Sequence, residues 1–370
     1  MVAAAVAAVV VVRERHHDRA AAATGTVAPP AAPGESTGST ASSPPVRPAP
    51  PPDTSFTLTA VGDVMLGKDG SYPANAARYF DAVHDDLTTG ADIVFANLEG
   101  TLTDNTAASK CAGSTSGNCF AFSVPPAIAG ELASAGFTML NNANNHSFDF
   151  GKAGEDDTVA AIRAAGMAQT GLPGQVTVVA AGPIQVAFVG FAPYDNTASL
   201  LDLPAAAALV RSAKSRADVV VVYMHAGAEG TGAQHVTGQT ESYLGENRGN
   251  PQAFAHLAID NGASVVIGSG PHVLRGIERY KEHLIAYSLG NFAGFGNFST
   301  GGALDNSAIL RVTLSATGEL RAARIVPTTF AGKGRPVHGG DAIAVMNRLS
   351  ADDFGTAAAS IGPDGTIAVA

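Results

Sequence analysis

The chain has 370 residues, a net charge of −10, 46% hydrophobic residues and 15% charged ones. That composition supports a sizeable buried core, and the acidic balance excludes the basic surface a nucleic-acid binder needs. Two Cys and no Trp exclude a disulfide-rich scaffold and a cysteine-based zinc site.

Residues 2–12 (VAAAVAAVVVV) form an unbroken apolar run. It is shorter than the ~20 residues of a spanning helix and lacks a preceding basic region. Residues 1–23 therefore read as the tail of an export or anchor segment. Residues 24–54, rich in Pro, Ser, Thr, Ala and Gly, have little to bury and read as a disordered tether. The expectation is an extracytoplasmic domain, secreted or membrane-tethered, over residues 55–335. Residues 336–370 would pack on that domain or continue it. Cys111 and Cys119 bracket a Gly/Ser-rich loop with no His or Asp at zinc-ligand spacing. In an oxidising compartment they would form a disulfide worth at most roughly 2–3 kcal/mol; the alternative is two free thiols.

From Ser55 the pattern is α/β. Phe56–Val61 reads as a strand, Ala74–Leu87 as a helical stretch, Ile93–Ala96 as a strand, Ala127–Ala135 as a helix and Phe137–Leu140 as a strand. Thr158–Ala165 has helical spacing ending at Gly166. Val176–Ala181 and Ile184–Phe191 form a hairpin through Gly182-Pro183. Val219–Met224 and Val265–Ile267 are fully apolar strands, with a helix at Phe254–Asn261 between them. Leu284–Ser288 and Ile309–Leu314 continue the sheet, and Leu320–Val326 pairs back through Thr317-Gly318. Strands alternating with helices and then following one another predict mixed sheets with outer helices.

Five of the apolar strands run straight into polar residues suited to metal or acid/base chemistry. Val61 precedes Gly62-Asp63, Ala96 precedes Asn97-Leu98-Glu99, and Leu140 precedes Asn141, Asn142, Asn144, Asn145, His146 and Asp149. Met224 precedes His225 and Glu229; Ile267 precedes a Gly-Ser-Gly-Pro turn and His272. In α/β sheets ligands bind outside the carboxyl ends of strands, so these residues share one crevice. A mixed oxygen and nitrogen set suits Mn²⁺, Zn²⁺ or Fe better than Ca²⁺. Taken singly, each residue is explained as well by a turn, a cap or a satisfied histidine. Two rival motifs are weak. Gly62–Lys68 resembles a phosphate-binding loop but is followed by Asp69 where Ser or Thr is needed, and Gly34–Gly38 (GESTG) lies in the tether without a strand or helix.

At these residues the chain resembles the CapA family of bacterial poly-γ-glutamate capsule synthesis proteins, a branch similar to the calcineurin-type metallophosphoesterases. The matching stretches are TAVGDVMLG (59–67), FANLEGTLTD (95–104), NNANNHSFDFGKAG (141–154), MHAGAEG (224–230) and the run from Val265 to Phe292. The resemblance implies a four-layer α/β/β/α sandwich with mixed sheets. It implies Asp63, Glu99, Asn145, His225 and His272 as metal ligands, with Glu99 as the bridging carboxylate. It makes His146 the acid near the leaving group, oriented by Asp149, with Glu229 as base or replacement carboxylate. Asn97, Asn142 and Asn291 would support the site loops. Met65 and Gly270 stand where the metallophosphoesterase pattern has two further His ligands, so one or two divalent ions (Mn, Zn or Fe) are expected. The implied activity is metal-dependent hydrolysis of a phosphoester or of an amide in poly-γ-glutamate or a related envelope polymer, alongside membrane capsule-synthesis proteins. The alternative is a polymer-binding or assembly module without turnover.

Overall fold

The computed structural model describes residues 48–68, 70–115, 119–298 and 301–369. The apolar run, most of the tether and the GESTG motif lie outside the described residues. Among the described residues no helix is long and apolar enough to cross a membrane.

Two mixed sheets carry the chain. In the first, Ser55–Met65, Ile93–Leu98, Met139–Asn141 and Ala168–Thr170 run parallel side by side. Ser307–Ser315, Leu320–Ala331 and Arg335–His338 extend it antiparallel beyond Ser55–Met65. In the second, Ile184–Ala192, Val219–His225, Val265–Ser269 and His283–Ala286 are parallel, flanked by antiparallel Thr177–Ala181 and Ile277–Tyr280. Val219–His225 (VVVVYMH) is buried at every position. A β-branched run of this kind fits a central parallel strand covered on both faces.

Three buried clusters account for the packing. One combines residues of the two sheets: Phe56, Leu58, Ile93 and Phe95 with Phe188, Val221, Tyr223 and Ile267. A second joins Val64, Val94, Ala96 and Leu98 to Phe80, Leu87, Leu132 and Ile162 of the flanking helical segments. The third joins Val189, Val220, Val222 and Val266 to Val210 and Phe254 of the helices Leu203–Lys214 and Pro251–Asp260. Both of those helices start on a side-chain cap: Asp202 Oδ1 accepts from the Ala205 N–H and Asn250 Oδ1 from the Ala253 N–H, each at 3.0 Å, with Pro in the first turn. Residues beyond 335 belong to the same compact unit. Met346 of the helix Ala342–Phe354 enters the cluster between the sheets, and Thr366–Ile367 pairs with Leu320–Ala331.

The expected helical stretch Ala74–Leu87 is instead a 3₁₀ turn, Ala77–Phe80, and a short helix, His84–Thr88. Side chains hold the start of this stretch: Glu131 accepts from the Ala76 and Ala77 N–H groups, and Asn75 from that of Arg78. The expected helix Thr158–Ala165 begins seven residues earlier, at Gly151. Gly62–Lys68 is strand as far as Met65, not a loop entering a helix.

Candidate metal centre and adjoining cleft

The register of the first sheet lines up polar residues at strand ends. Asp63 is the partner of Asn97 on one side and of Asn291 on the other, and Asn97 is the partner of Asn141. In the second sheet His225 is the partner of Ser269. Ser269 Oγ donates to Asp63 Oδ1 and so joins the two edges, with the Tyr223 hydroxyl bonded behind Ser269. The approach is close: a Cβ on Gly62 would lie 1.9 Å from the Gly290 carbonyl oxygen, so only glycine fits there.

Asp63, Glu99 and His272 each place a ligand atom within 4.8 Å of the others. His272 Nε2 lies 3.6 Å, and His225 Nε2 3.9 Å, from the same Glu99 oxygen, Oε1. Both Glu99 oxygens, both His225 ring nitrogens and Asn145 Oδ1 are buried without a hydrogen-bond partner among the described residues. Buried polar atoms are ordinarily paired, so a cluster of unpaired lone-pair donors is what a cation site shows without its ion. The donor set fits a divalent cation of the Mn, Zn or Fe type.

The electrostatics agree. Burial, reinforced by the neighbouring Asp63 and Glu229 charges, pushes the Glu99 carboxyl well above the usual range. Burial and then the Arg248 charge hold His225 well below its ordinary value, leaving it neutral as a ligand must be. Burial would raise Asp63, but His272, His225 and Ser269 together hold it below the usual carboxylate range. His272 resists charge through burial, yet Glu99 and Asp63 push it up to about 10. A proton on His272 thus offsets part of the carboxylate charge.

Asn291 orients His272: it accepts from Nδ1 at 2.9 Å and donates to the His272 carbonyl at 3.0 Å. These bonds hold His272 at φ 60°, a left-handed conformation that non-glycine residues keep only under such constraint. Asn97 donates to Asp63 Oδ1 at 2.8 Å and accepts from Asn141 and Asn144. Asn142, expected among the supporting residues, is not part of this network. Its side chain has no partner among the described residues; only its backbone is used, the N–H donating to Thr170 O and the carbonyl accepting from the Asn144 N–H. Asn144 fills that place, because its amide also bonds Leu98 O while its oxygen accepts from the His146 N–H.

Met65 and Gly270 supply no donor for a hard or borderline cation. The Met65 side chain is buried in a small, mainly apolar recess beside Leu98, Leu102, Phe122 and Ile128. Gly270, at φ 109°, faces the His225 ring: a Cβ there would meet Cδ2 at 3.0 Å and Nε2 at 3.1 Å.

His146 and Asp149 stand beside the centre. Asp149, fully buried, accepts from His146 Nδ1 at 2.8 Å. That bond assigns the proton to Nδ1 and leaves Nε2 with its lone pair. Burial pushes the His146 ring below its ordinary value, partly offset by Asp149. His146 and Asn145 line an open cleft of about 360 Å³ with Lys110, Phe120, Glu229, Tyr243 and Arg248. Glu229 is held by Arg248: Nη1 lies 2.7 Å from Oε1, while Oε2 is 3.8 Å from His272 Nε2. Glu229 thus stands at the border of the centre, one oxygen held by Arg248 and the other turned toward His272.

Sequence reasoning missed Lys110, Arg248 and the structural role of Ser269. Lys110 could have been found from its place next to Cys111. Arg248 follows a short hairpin of Ser242–Tyr243 and Glu246–Asn247 with no local pattern to mark it. Cys111 and Cys119 are joined in a disulfide.

The family profile described as bacterial capsule synthesis protein PGA_cap matches residues 57–295, more than half of the chain. The PGA biosynthesis protein CapA of Bacillus subtilis is 33% identical over 178 residues, 44% of this chain and 43% of that protein. The capsule biosynthesis protein CapA of Bacillus anthracis is 28% identical over 268 residues, 64% of this chain and 59% of that one. The matches therefore span about half the length of these two relatives. Among solved structures, a putative 5'-nucleotidase from Staphylococcus aureus aligns over 80% of this chain and 58% of its own, with 14% identity and a TM-score of 0.45. By its sequence profile, the chain belongs to the bacterial capsule synthesis protein PGA_cap family.

Proposed function

We propose that this chain is an exported, metal-dependent hydrolase acting on an anionic polymer of the bacterial envelope, poly-γ-glutamate or a phosphoester-containing one. It would work beside the membrane proteins of capsule synthesis. The observation that carries the reading is the set of buried, unpaired donors on Glu99, His225 and Asn145, next to Asp63 and His272 and bordering a cleft that contains His146. Asp63, Glu99, His225 and His272 would hold the cation, with Asn145 as a further donor. A divalent cation supplies Lewis acidity toward the scissile group.

The chain's own residues handle the proton and the substrate. His146, its Nδ1–H held by Asp149, offers the Nε2 lone pair as a general base and returns the proton to the leaving group. Positioned acid/base catalysis of this kind contributes about 10²–10⁴-fold. Lys110 and Arg248 line the cleft together with Glu229 and Glu246, so charges of both signs are available there to orient a polar substrate. The disulfide supports export, since such bonds persist in oxidising compartments. The names of the two CapA relatives support the polymer pathway.

The test is hydrolysis of p-nitrophenyl phosphate and of γ-linked oligoglutamate with added Mn²⁺, Zn²⁺ or Fe²⁺, with Asp63→Ala and His225→Ala as controls. Turnover that needs metal and is lost in both variants supports the reading. No metal-stimulated product from either substrate contradicts it. The donor-less positions at Met65 and Gly270 favour a second reading, a polymer-binding module without turnover. Titration with poly-γ-glutamate that gives metal-dependent binding but no product selects that reading.

A further inference from the structure

The disulfide-closed loop touches the His146–Asp149 pair from both of its ends. Lys110 precedes Cys111, and Phe122 follows Cys119 by three residues. On the first arm, Lys110 Nζ lies 2.6 Å from Asp149 Oδ1 and donates to the Asn145 carbonyl at 2.9 Å, while the Lys110 N–H bonds the Asp149 carbonyl at 2.7 Å. On the second arm, the Phe122 N–H donates to Asp149 Oδ2 at 2.7 Å and the Phe122 ring packs on the His146 ring, centroids 4.6 Å apart. Asp149 has no exposed side-chain surface. A carboxylate so buried needs compensating donors, and apart from His146 these come from the loop.

We propose that the Cys111–Cys119 disulfide joins Lys110 and Phe122 into a two-armed clamp on Asp149, and that Lys110 is a positioning residue that fixes the ring of His146. The clamp deepens the proposed function, since it rests on His146 as the proton-handling residue. Each arm engages a different oxygen of one carboxylate, so the carboxylate cannot rotate without breaking one of them. Asp149 in turn sets the His146 ring through Nδ1. Opening the S–S bond, with two electrons and two protons from a dithiol giving two thiols, removes the tie between the arms. The loop that Lys110 anchors also carries Cys119 and Phe120 into the wall of the cleft.

The experiment reads ring geometry and not turnover, so it stands apart from the success or failure of the hydrolase assay. Full-length protein with isotope-labelled histidine is compared by NMR as wild type, Lys110→Met, Lys110→Arg and Cys111→Ser/Cys119→Ser, and as wild type treated with dithiothreitol. The His146 ring signal is assigned with His146→Gln. The expected result is a displaced His146 signal in Lys110→Met, in the double Cys variant and on reduction. The His225 and His283 signals should stay in place, and Lys110→Arg should restore the wild-type position. His283 bonds Ser264 O and reports that the fold is intact. A His146 signal unmoved by both Lys110→Met and reduction, in protein whose other histidine signals are those of the wild type, overturns the clamp.

Discussion

Glu99→Gln isolates the electrostatics of the centre. Glu99 has no exposed surface, both of its oxygens are unpaired, and Asp63 and Glu229 add like charge beside it. Leaving one buried acceptor unsatisfied costs about 1–3 kcal/mol, and more for a charged group. The carboxyl's folded-state pKa is raised, so in metal-free protein the penalty is absent below the ordinary glutamate range and grows as pH rises above it. Glutamine keeps the shape and removes the charge. The variant should therefore be more stable than wild type in EDTA at pH 7–8 by about 1–3 kcal/mol, and the gain should vanish near pH 4. With excess cation the order reverses. Wild type gains about 2.7 kcal/mol at a hundredfold excess over Kd, and the variant, lacking an anionic ligand, gains far less. Scanning calorimetry of both proteins, with EDTA and with Mn²⁺ or Zn²⁺, measures each arm. A variant that is less stable than wild type in EDTA, yet keeps the full metal-induced rise in Tm, refutes the reasoning.

Other perturbations have defined outcomes. Gly270→Ala puts a methyl group 3.0–3.1 Å from the His225 ring at a position with φ 109°; metal affinity measured by calorimetric titration should fall, and unchanged affinity would show that the ring needs no room on this side. Gly62→Ala drives a Cβ to 1.9 Å from Gly290 O; denaturant unfolding should show a loss of about 1–3 kcal/mol or more. Cation uptake should expel the proton that Glu99 and Asp63 keep on His272 up to about pH 10, together with any held by the raised Glu99 carboxyl; titration in buffers of different ionisation enthalpy should show proton release near neutrality and affinity falling as pH falls. Reducing Cys111–Cys119 should lower stability by roughly 2–3 kcal/mol, read from denaturant midpoints with and without dithiothreitol.

The strands were readable because their runs are short, apolar and rich in β-branched residues, as in Val219–His225 and Val265–Ser269, both buried throughout. The candidate ligands were readable for the same reason, since a polar residue directly after an apolar run stands at a strand end. Tertiary partners decided the rest. The stretch around Ala77–Phe80 has helical composition but is a 3₁₀ turn held by Glu131, which lies far away in the chain. The helix Leu203–Lys214 carried a legible signal in Asp202 and the following Leu-Pro, which hydrophobic spacing alone does not reveal. Arg248 and Lys110 reach the cleft through loops, where no period relates sequence to direction. Asn142 and Asn144 show the limit most clearly. Two residues apart in an Asn-rich turn, they are alike in sequence, and only the fold selects Asn144 for the network.

Asp63, Glu99, His225 and His272 are proposed as the ligands of a divalent cation. Crystals of the protein soaked in Mn²⁺ or Zn²⁺ and measured at the metal's absorption edge test this assignment directly. The expected result is an anomalous peak beside Glu99 Oε1, within bonding distance of both imidazoles and lost in His225→Ala. A centre that stays free of anomalous signal at saturating metal would contradict it.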